Sequence, residues 1–234
     1  MSIKSNICQI NRCNQRGGRM LSIIDLIQRE TLDLETAAFL ASRVHAGASF
    51  ITGAVPGGAG KTTVMGALLN LLPPETDIIP AEDETGISNL EAQPSRACAL
   101  VHEISAGHYY CYLWGAPLRR FFALHKQGHI LAANLHADDL DQARSQICAD
   151  NGVPQEDFNA IDLFLFLGVS GGFGARKIIA ADIQVYDAAS GRHMPLTPAM
   201  IFEEAPAGWQ KLFRRLLEQQ VFTIEEVRKE VLTI

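Results

Sequence analysis

The feature that most constrains this sequence is a glycine-rich loop between a short apolar run, Ser49 to Thr52, and a helical pattern, Lys61 to Leu72. Glycines lack a Cβ atom, so consecutive backbone N–H groups can turn toward phosphate oxygens, and the helix that follows adds the positive end of its dipole. The order of strand, glycine loop and helix therefore predicts a phosphate site. Its expected contacts are Pro56, Gly57, Gly58, Ala59, Gly60, Lys61, Thr62 and Thr63.

The loop ends in the Gly-Lys-Thr-Thr sequence that is typical of nucleoside triphosphate sites. We expect Lys61 to reach the β- and γ-phosphates of ATP and the Thr62 hydroxyl to ligate Mg²⁺. One position departs from the G-x-x-x-x-G-K-[ST] motif, because Val55 stands where the first glycine belongs. Gly53, Pro56 and Gly57 would then supply the turn. The structural alternative is a glycine loop that only links a strand to a helix.

Acidic residues follow two further strand-like runs. Glu82 and Asp83 come shortly after Ile78–Ile79, and Glu103 ends the run that begins at Ala97. Carboxylates at the carboxyl edge of such a sheet lie beside the phosphate loop, where they can hold the Mg²⁺ shell or orient a water molecule. Thr62, Asp83 and Glu103 are therefore the predicted metal residues. Acid clusters that merely solvate turns are the alternative.

The remaining pattern predicts an α/β fold. Strand-like and helical runs alternate through residues 49–150, which favours a mostly parallel sheet with helices on both faces. Residues 163–169 and 177–186 predict an edge hairpin, and helices follow from Trp209 and from Thr223. We expect residues 1–20 to be a disordered tail, residues 21–204 to be the core, and residues 205–234 to be a helical extension of the same domain.

Composition excludes several classes of protein. The formal net charge is −6, which argues against a protein that coats nucleic acid. The apolar runs fall far short of the ~18 residues that span a bilayer. Five cysteines without a C-x-x-C pair favour a reducing compartment over a disulfide framework.

Taken together, the motifs resemble those of the secretion and pilus ATPases of type II and type IV systems. The matching stretches, in chain order, are Ala46 through Thr63, Glu82-Asp83, Val101-His102-Glu103-Ile104, Gly128-His129-Ile130 with Asn134-Leu135-His136-Ala137-Asp138, and Ile161-Asp162. The resemblance covers about residues 21–196. It does not include the large amino-terminal domain that precedes the core in that family.

The resemblance implies a RecA-like core that hydrolyses ATP. Glu82 would polarise the attacking water, Glu103 would hold the metal shell, and His136 would sense the γ-phosphate. It also implies a ring of identical subunits that serves secretion or pilus machinery from the cytoplasm, at the inner membrane through partners. Family members usually carry arginines between the two acidic motifs, whereas only Arg96 lies between Asp83 and Glu103 here.

Two other functions remain open at this level. The first is a nucleotide-binding module that turns over slowly and acts by docking on a partner. The second is a small-molecule kinase, which would need a lid rich in arginine, and the sequence contains no such segment.

Overall fold

A mostly parallel β-sheet with helices on both faces organises the protein in the computed structural model. The model describes residues 3–14, 17–55, 58–107, 109–170, 177–204 and 207–234. The strands are β1 (Phe50–Gly53), β2 (Asp77–Pro80), β3 (Ala97–Ile104), β4 (Tyr112–Leu113), β5 (Ile130–Leu135), β6 (Leu163–Ser170), β7 (Lys177–Asp187) and β8 (Arg192–Pro195).

The helices flank this sheet. They are α1 (Ile3–Arg12), α2 (Ile23–Gln28), α3 (Leu34–His45), α4 (Lys61–Leu69), α5 (Glu84–Glu91), α6 (Ala116–Ala123), α7 (Leu140–Arg144), α8 (Gln155–Asn159), α9 (Pro198–Glu204), α10 (Ala207–Glu218) and α11 (Ile224–Val231). A 3₁₀ turn over Leu124–Gln127 extends α6, and a π-helical turn over Ser145–Asp150 extends α7. Within the described ranges, every helix is too short or too polar to cross a bilayer.

The strand order is β2-β3-β5-β1-β6-β7-β8, and β4 pairs with β3. Strands β2 through β6 in this order run parallel, whereas β7 pairs antiparallel with β6 and β8 antiparallel with β7. The predicted α/β fold and its edge hairpin are therefore confirmed. Because β1 lies near the middle of the sheet, the loop that follows it opens at the carboxyl edge between β5 and β6.

Buried side chains alternate between two cores, one on each face of the sheet. Phe50 packs with α1 to α4, α10 and α11, while Ile51, its neighbour on β1, packs with α5, α6 and α8. All four residues of β1 are buried, as expected for a strand with helices on both sides.

The amino-terminal segment differs from the expected disordered tail. Residues 3–12 form helix α1, in which Ile7 and Ile10 are buried in the core. Asn6 holds this helix to strand β2, because its side-chain amide donates to Thr76 O (2.7 Å) and its carbonyl oxygen accepts from Ile78 N (3.0 Å). The sequence did not predict this helix because its apolar residues are few. They recur at helical spacing but are buried only when the helix packs against the edge strand.

A buried histidine on β8 predicts sensitivity to acid. His193 Nε2 lies 2.7 Å from Ile161 O, the ring packs among Phe158, Phe164 and Tyr186, and Nδ1 has no partner in the described structure. Burial lowers the pKa of His193 below its usual range. The folded protein therefore keeps this ring neutral, whereas the unfolded chain takes up a proton near pH 6.5.

Stability should accordingly fall as the pH drops below about 6.5, with a slope of at most about 1.4 kcal/mol per pH unit from this group. Urea unfolding at pH 7.5, 6.5 and 5.5 would measure the slope. We expect His193→Gln to lower the free energy of unfolding at pH 7.5 but to lose less of it on acidification. Equal slopes in both proteins would contradict this assignment.

Candidate nucleotide-binding site

The glycine loop joins the end of β1 to the start of α4, as the sequence predicts. Gly53 must be glycine, because a Cβ atom there would lie 2.6 Å from Ala137 O. Gly60 caps α4 in the left-handed region at φ +87°, and a Cβ atom there would lie 2.8 Å from Ile178 Cδ1. Pro56 and Gly57, two of the predicted contacts, lie outside the described residues.

The loop faces a cavity of about 410 Å³. Its lining includes six of the predicted loop residues, Gly58, Ala59, Gly60, Lys61, Thr62 and Thr63, together with the predicted Glu103 and His136. It also includes Cys13, Asn14, Gly17, Arg19, Met20, His102, Tyr112 and Ile178. A cavity of this size is of the order that small-molecule ligands occupy.

Lys61, Glu103 and His136 meet at the floor of this cavity. Lys61 Nζ donates to Ala54 O (3.2 Å) and lies 3.4 Å from His136 Nδ1, and it is 3.7 Å from Glu103 Oε1. Because an ammonium group has only protons to offer, His136 Nδ1 must accept, which leaves Nε2 as the protonated nitrogen. That nitrogen lies 3.7 Å from Glu103 Oε1.

Glu103 is the most constrained acid of the site. Its side chain is only 9% exposed, and Oε1 has no hydrogen-bond partner in the described structure. Burial raises the pKa of the Glu103 carboxyl above its usual range, and the nearby Lys61 and His136 offset part of this rise. A buried carboxylate oxygen that lies near Lys61 but makes no hydrogen bond is suited to bind a cation or a water molecule.

A buried polar network fixes the three strands that carry these groups. Asn134 on β5 donates to His102 O on β3 (2.8 Å), and its side-chain oxygen contacts the Thr52 hydroxyl on β1. The Thr52 hydroxyl also lies 3.4 Å from Lys61 O. Because all partners are buried, this network fixes the position of the start of α4, which carries Lys61, relative to the end of β3, which carries Glu103.

A side chain from another loop holds the backbone at Val55, which stands where the motif has its first glycine. Val55 N donates to the Asp138 carboxylate (2.7 Å), so the predicted histidine motif after β5 also holds the start of the phosphate loop. Val55 is half exposed, which shows why a β-branched residue is tolerated there.

The structure does not bring Glu82 and Asp83 to the cavity. Asp83 is the N-cap of α5 and accepts from Gly86 N (2.8 Å). Glu82 lies 3.9 Å from Arg12 at the end of α1. Arg12 also lies over the Tyr110 ring, 5.0 Å from its centroid. Neither acid is among the described residues that line the cavity.

The amino-terminal segment contributes to this cavity, which the sequence did not predict. Arg19 lines the cavity, and its guanidinium pairs with the carboxylate of Asp25, whose side chain is 3% exposed. Ser22 N also donates to that carboxylate (2.8 Å), and Ser22 with Asp25 forms the capping box of α2. The spacing of Ser22 and Asp25 was a readable signal of a fixed turn here.

The residues fit a magnesium–nucleotide complex better than an all-protein metal site. In the described part of the chain, no group of three or more His, Cys, Asp or Glu side chains is placed to hold a metal ion. Mg²⁺ is usually held by one or two carboxylates together with substrate phosphates and water. Thr62 and Glu103 line the same cavity, and Glu103 Oε1 makes no hydrogen bond in the described structure although Lys61 and His136 lie 3.7 Å from it, so this donor set matches that mode.

No protein-family model matches the chain, and no curated protein matches it. Solved structures do. The ATPase DotB of Legionella pneumophila superposes with a TM-score of 0.53 at 12% identity, over 93% of this chain and 67% of its own. DotB of Yersinia pseudotuberculosis superposes with a TM-score of 0.48 at 10% identity, over 88% of this chain and 62% of its own. The VirB11 ATPase of the Brucella suis type IV secretion system gives 0.48 at 19% identity, over 70% and 57%.

At these identities the likeness concerns the fold. The superposition on the Legionella protein confirms the RecA-like α/β arrangement that the motifs imply. The chain spans 57% of the VirB11 ATPase and 67% of the Legionella ATPase, so it matches part of each.

Proposed function

We propose that this protein binds Mg·ATP and hydrolyses its β–γ bond, as a motor core of the secretion ATPase type. The observation that carries the proposal is the pairing of Lys61 with Glu103 beneath the glycine loop. Their charged groups lie 3.7 Å apart, and each side chain is 9% exposed. A buried ion pair offsets the cost of desolvation only when further partners satisfy its charged groups. Glu103 Oε1 has no hydrogen bond in the described structure, and a bound Mg·ATP would supply such a partner.

Each residue has a defined part in the proposed reaction. Lys61 and the backbone N–H groups of residues 58–63 would neutralise and orient the phosphates. Thr62 and Glu103 would hold Mg²⁺, which supplies charge stabilisation at the phosphoryl oxygens when bound. His136 would sense the γ-phosphate through the hydrogen bond that its Nδ1 makes with Lys61. Positioning and charge account for most of the catalysis in such sites.

A second candidate is a nucleotide-binding docking module with little turnover. One observation favours it: the predicted water-activating acid, Glu82, lies beside Arg12 and outside the cavity, while Asp83 caps a helix. If this arrangement persists with ATP bound, no acid from that motif reaches the γ-phosphate. Hydrolysis would then depend on Glu103 alone or on movement of α1.

The wider biological setting is a further part of the proposal. We propose a cytoplasmic protein that assembles with copies of itself and is recruited to secretion or pilus machinery at the inner membrane. The support is the resemblance of the sequence motifs to those of secretion and pilus ATPases, together with the superposition on the ATPase DotB of Legionella pneumophila. Light scattering with and without ATP and Mg²⁺ would test self-assembly.

The Glu103→Gln variant separates binding from chemistry. We expect it to bind ATP within a few-fold of the wild type but to release phosphate about 100-fold or more slowly, because the amide retains the shape while losing the charge. Calorimetry and a phosphate-release assay would measure both quantities. The matched control is Glu156→Gln, an exposed acid remote from the cavity.

The two assays on the wild type and on Glu103→Gln distinguish the candidate functions. Binding with turnover that Glu103→Gln abolishes would support the ATPase. Tight binding without turnover, even at high protein concentration, would favour the docking module. Absence of ATP binding would contradict both.

A further inference from the structure

A second cavity adjoins the phosphate loop. It measures about 440 Å³ and shares Gly60, Thr63 and Ile178 with the first. Its other walls come from residues before, on and after α2 (Leu21, Leu26, Arg29 and Thr31), from Val64 on α4 and from Lys177 at the beginning of β7. The two cavities therefore form neighbouring compartments around the first turn of α4, with the Ile178 side chain at the boundary.

The two compartments differ in chemistry. The first holds Lys61, Glu103 and His136, whereas the second is walled by the aliphatic side chains of Leu21, Leu26, Val64 and Ile178. The charged residues of the second compartment, Arg29 and Lys177, are exposed at its rim, and two threonines, Thr31 and Thr63, add hydroxyl groups farther inside. An apolar compartment next to a charged one matches an amphipathic ligand with a charged tail and a flat apolar body.

The shared residues set the direction of such a ligand. Glu103 and His136 line only the first compartment, so the terminal phosphate belongs there, beside Lys61. Gly60 and Thr63 line both, so the other end of the phosphate chain lies at the passage between them. Any group attached to that end must enter the second compartment or remain in solvent.

We infer that the second compartment binds the base and ribose of the nucleotide, by apolar contact against α2. This inference rests on the proposed function, since it requires the phosphates to occupy the first compartment. Because the walls are aliphatic, the base is recognised by burial more than by hydrogen bonds, and discrimination among bases is weak.

The wall on α2 is held in place before any ligand arrives. Asp25, inside this helix, accepts from Ser22 N (2.8 Å) and from Arg19 Nη1 (2.7 Å). The Arg19 guanidinium also donates to Phe222 O (3.3 Å), which ties the turn to the segment between α10 and α11. A preformed wall lowers the entropic cost of binding a rigid heterocycle.

Inorganic tripolyphosphate and ATP distinguish the two compartments, because only ATP carries a base. Calorimetry in Mg²⁺ should show ATP binding about tenfold or more tightly than tripolyphosphate, as expected from burying the apolar area of a base. GTP should bind within about tenfold of ATP, since each aliphatic contact separates related groups only modestly.

The variants Leu21→Gln and Arg29→Ala test the location. Both positions line the second compartment and not the first, and neither is fully buried. Leu21→Gln should weaken ATP binding by about threefold to tenfold and leave the affinity for tripolyphosphate unchanged. Arg29→Ala should weaken ATP binding by a smaller factor and should also leave the affinity for tripolyphosphate unchanged. The matched controls are Leu34→Gln and Arg214→Ala, which line other cavities, and both should leave ATP affinity unchanged.

Each other outcome contradicts the inference in a different way. Equal affinity for ATP and tripolyphosphate would overturn it while leaving the phosphate site intact. A preference for ATP that Leu21→Gln does not reduce would place the base elsewhere. Failure of the wild type to bind either compound would remove the proposed function itself. Thermal unfolding of each variant would show that the fold is retained.

Discussion

Lys61→Ala should reduce ATP turnover by about 100- to 1,000-fold and weaken ATP binding, because it removes the ammonium group that lies against both Glu103 and His136. The loss should be larger for ATP than for AMP, since Lys61 serves the β- and γ-phosphates. It should also leave Glu103 buried without its nearest positive charge, so the free energy of unfolding should fall as well.

Phosphate release and calorimetry on the wild type and on Lys61→Ala would check this prediction. The matched control is Lys211→Ala, an exposed lysine on α10 outside the phosphate cavity, and it should behave as the wild type. The double variant Lys61→Ala with Glu103→Gln separates stability from function. It should regain stability but no turnover, because it removes the unpaired charge without restoring the cation. Equal turnover in the wild type and Lys61→Ala would contradict the catalytic claim.

The parts of the site that could be read from the sequence are those encoded by contiguous residues. The glycine loop, Glu103 at the end of β3 and His136 after β5 each follow a recognisable strand, and parallel strands place their carboxyl ends together. The mostly parallel sheet was also predicted from the alternation of strands and helices, and the edge hairpin from two strand-like runs near the end of the sheet. The order of the strands within the sheet was not predicted.

What could not be read depends on contacts between distant segments. Helix α1 has too few apolar residues to be predicted from its own sequence. It is stabilised by the hydrogen bonds of Asn6 to the edge strand β2 and by burial of Ile7 and Ile10. Arg12 reaches Glu82 only after α1 has packed there. Arg19 and Met20 line the phosphate cavity, where Arg19 is held by Asp25 and by Phe222 O from a distant part of the chain.

The predicted acidic motif shows how a correct pattern can still mislead about position. Glu82 and Asp83 follow β2 as expected, but Asp83 satisfies the first turn of α5, a helix that the sequence analysis did not anticipate. An Asp at an N-cap accepts a backbone N–H and contributes to the start of the helix. Its role in metal binding stays a prediction, as does the role of Glu82.

The carboxyl-terminal helix closes the far end of the phosphate-loop helix. Arg228 on α11 is 4% exposed and donates to Asn70 O (3.1 Å), to Leu72 O and to Pro73 O (3.2 Å), just beyond the last turn of α4. The Asn70 side chain returns a bond to Ile224 O (3.1 Å). Burial lowers the pKa of Arg228 to about 10, so the guanidinium still carries its charge at neutral pH.

Arg228→Met should therefore lower the free energy of unfolding by about 3 kcal/mol, because methionine fills much of the space but leaves buried carbonyl groups without donors. Urea unfolding would measure the change. The control is Arg214→Met, whose half-exposed guanidinium lies 3.9 Å from Glu35 and should contribute less than about 1 kcal/mol. A loss below about 1 kcal/mol for Arg228→Met would mean that water replaces the guanidinium.

Arg228→Met also tests whether the contact of α11 with the end of α4 affects ATP binding at the start of α4. Lys61 begins this helix and Arg228 binds the residues after its end, so loosening one end should weaken the other. Saturating Mg·ATP, at about 100 times its dissociation constant, should restore about 2.7 kcal/mol to any variant that still binds with unchanged affinity. We expect Arg228→Met to recover less than this at the same ATP concentration, because its affinity for ATP is reduced. Recovery equal to that of Arg214→Met would show that the phosphate loop is independent of α11.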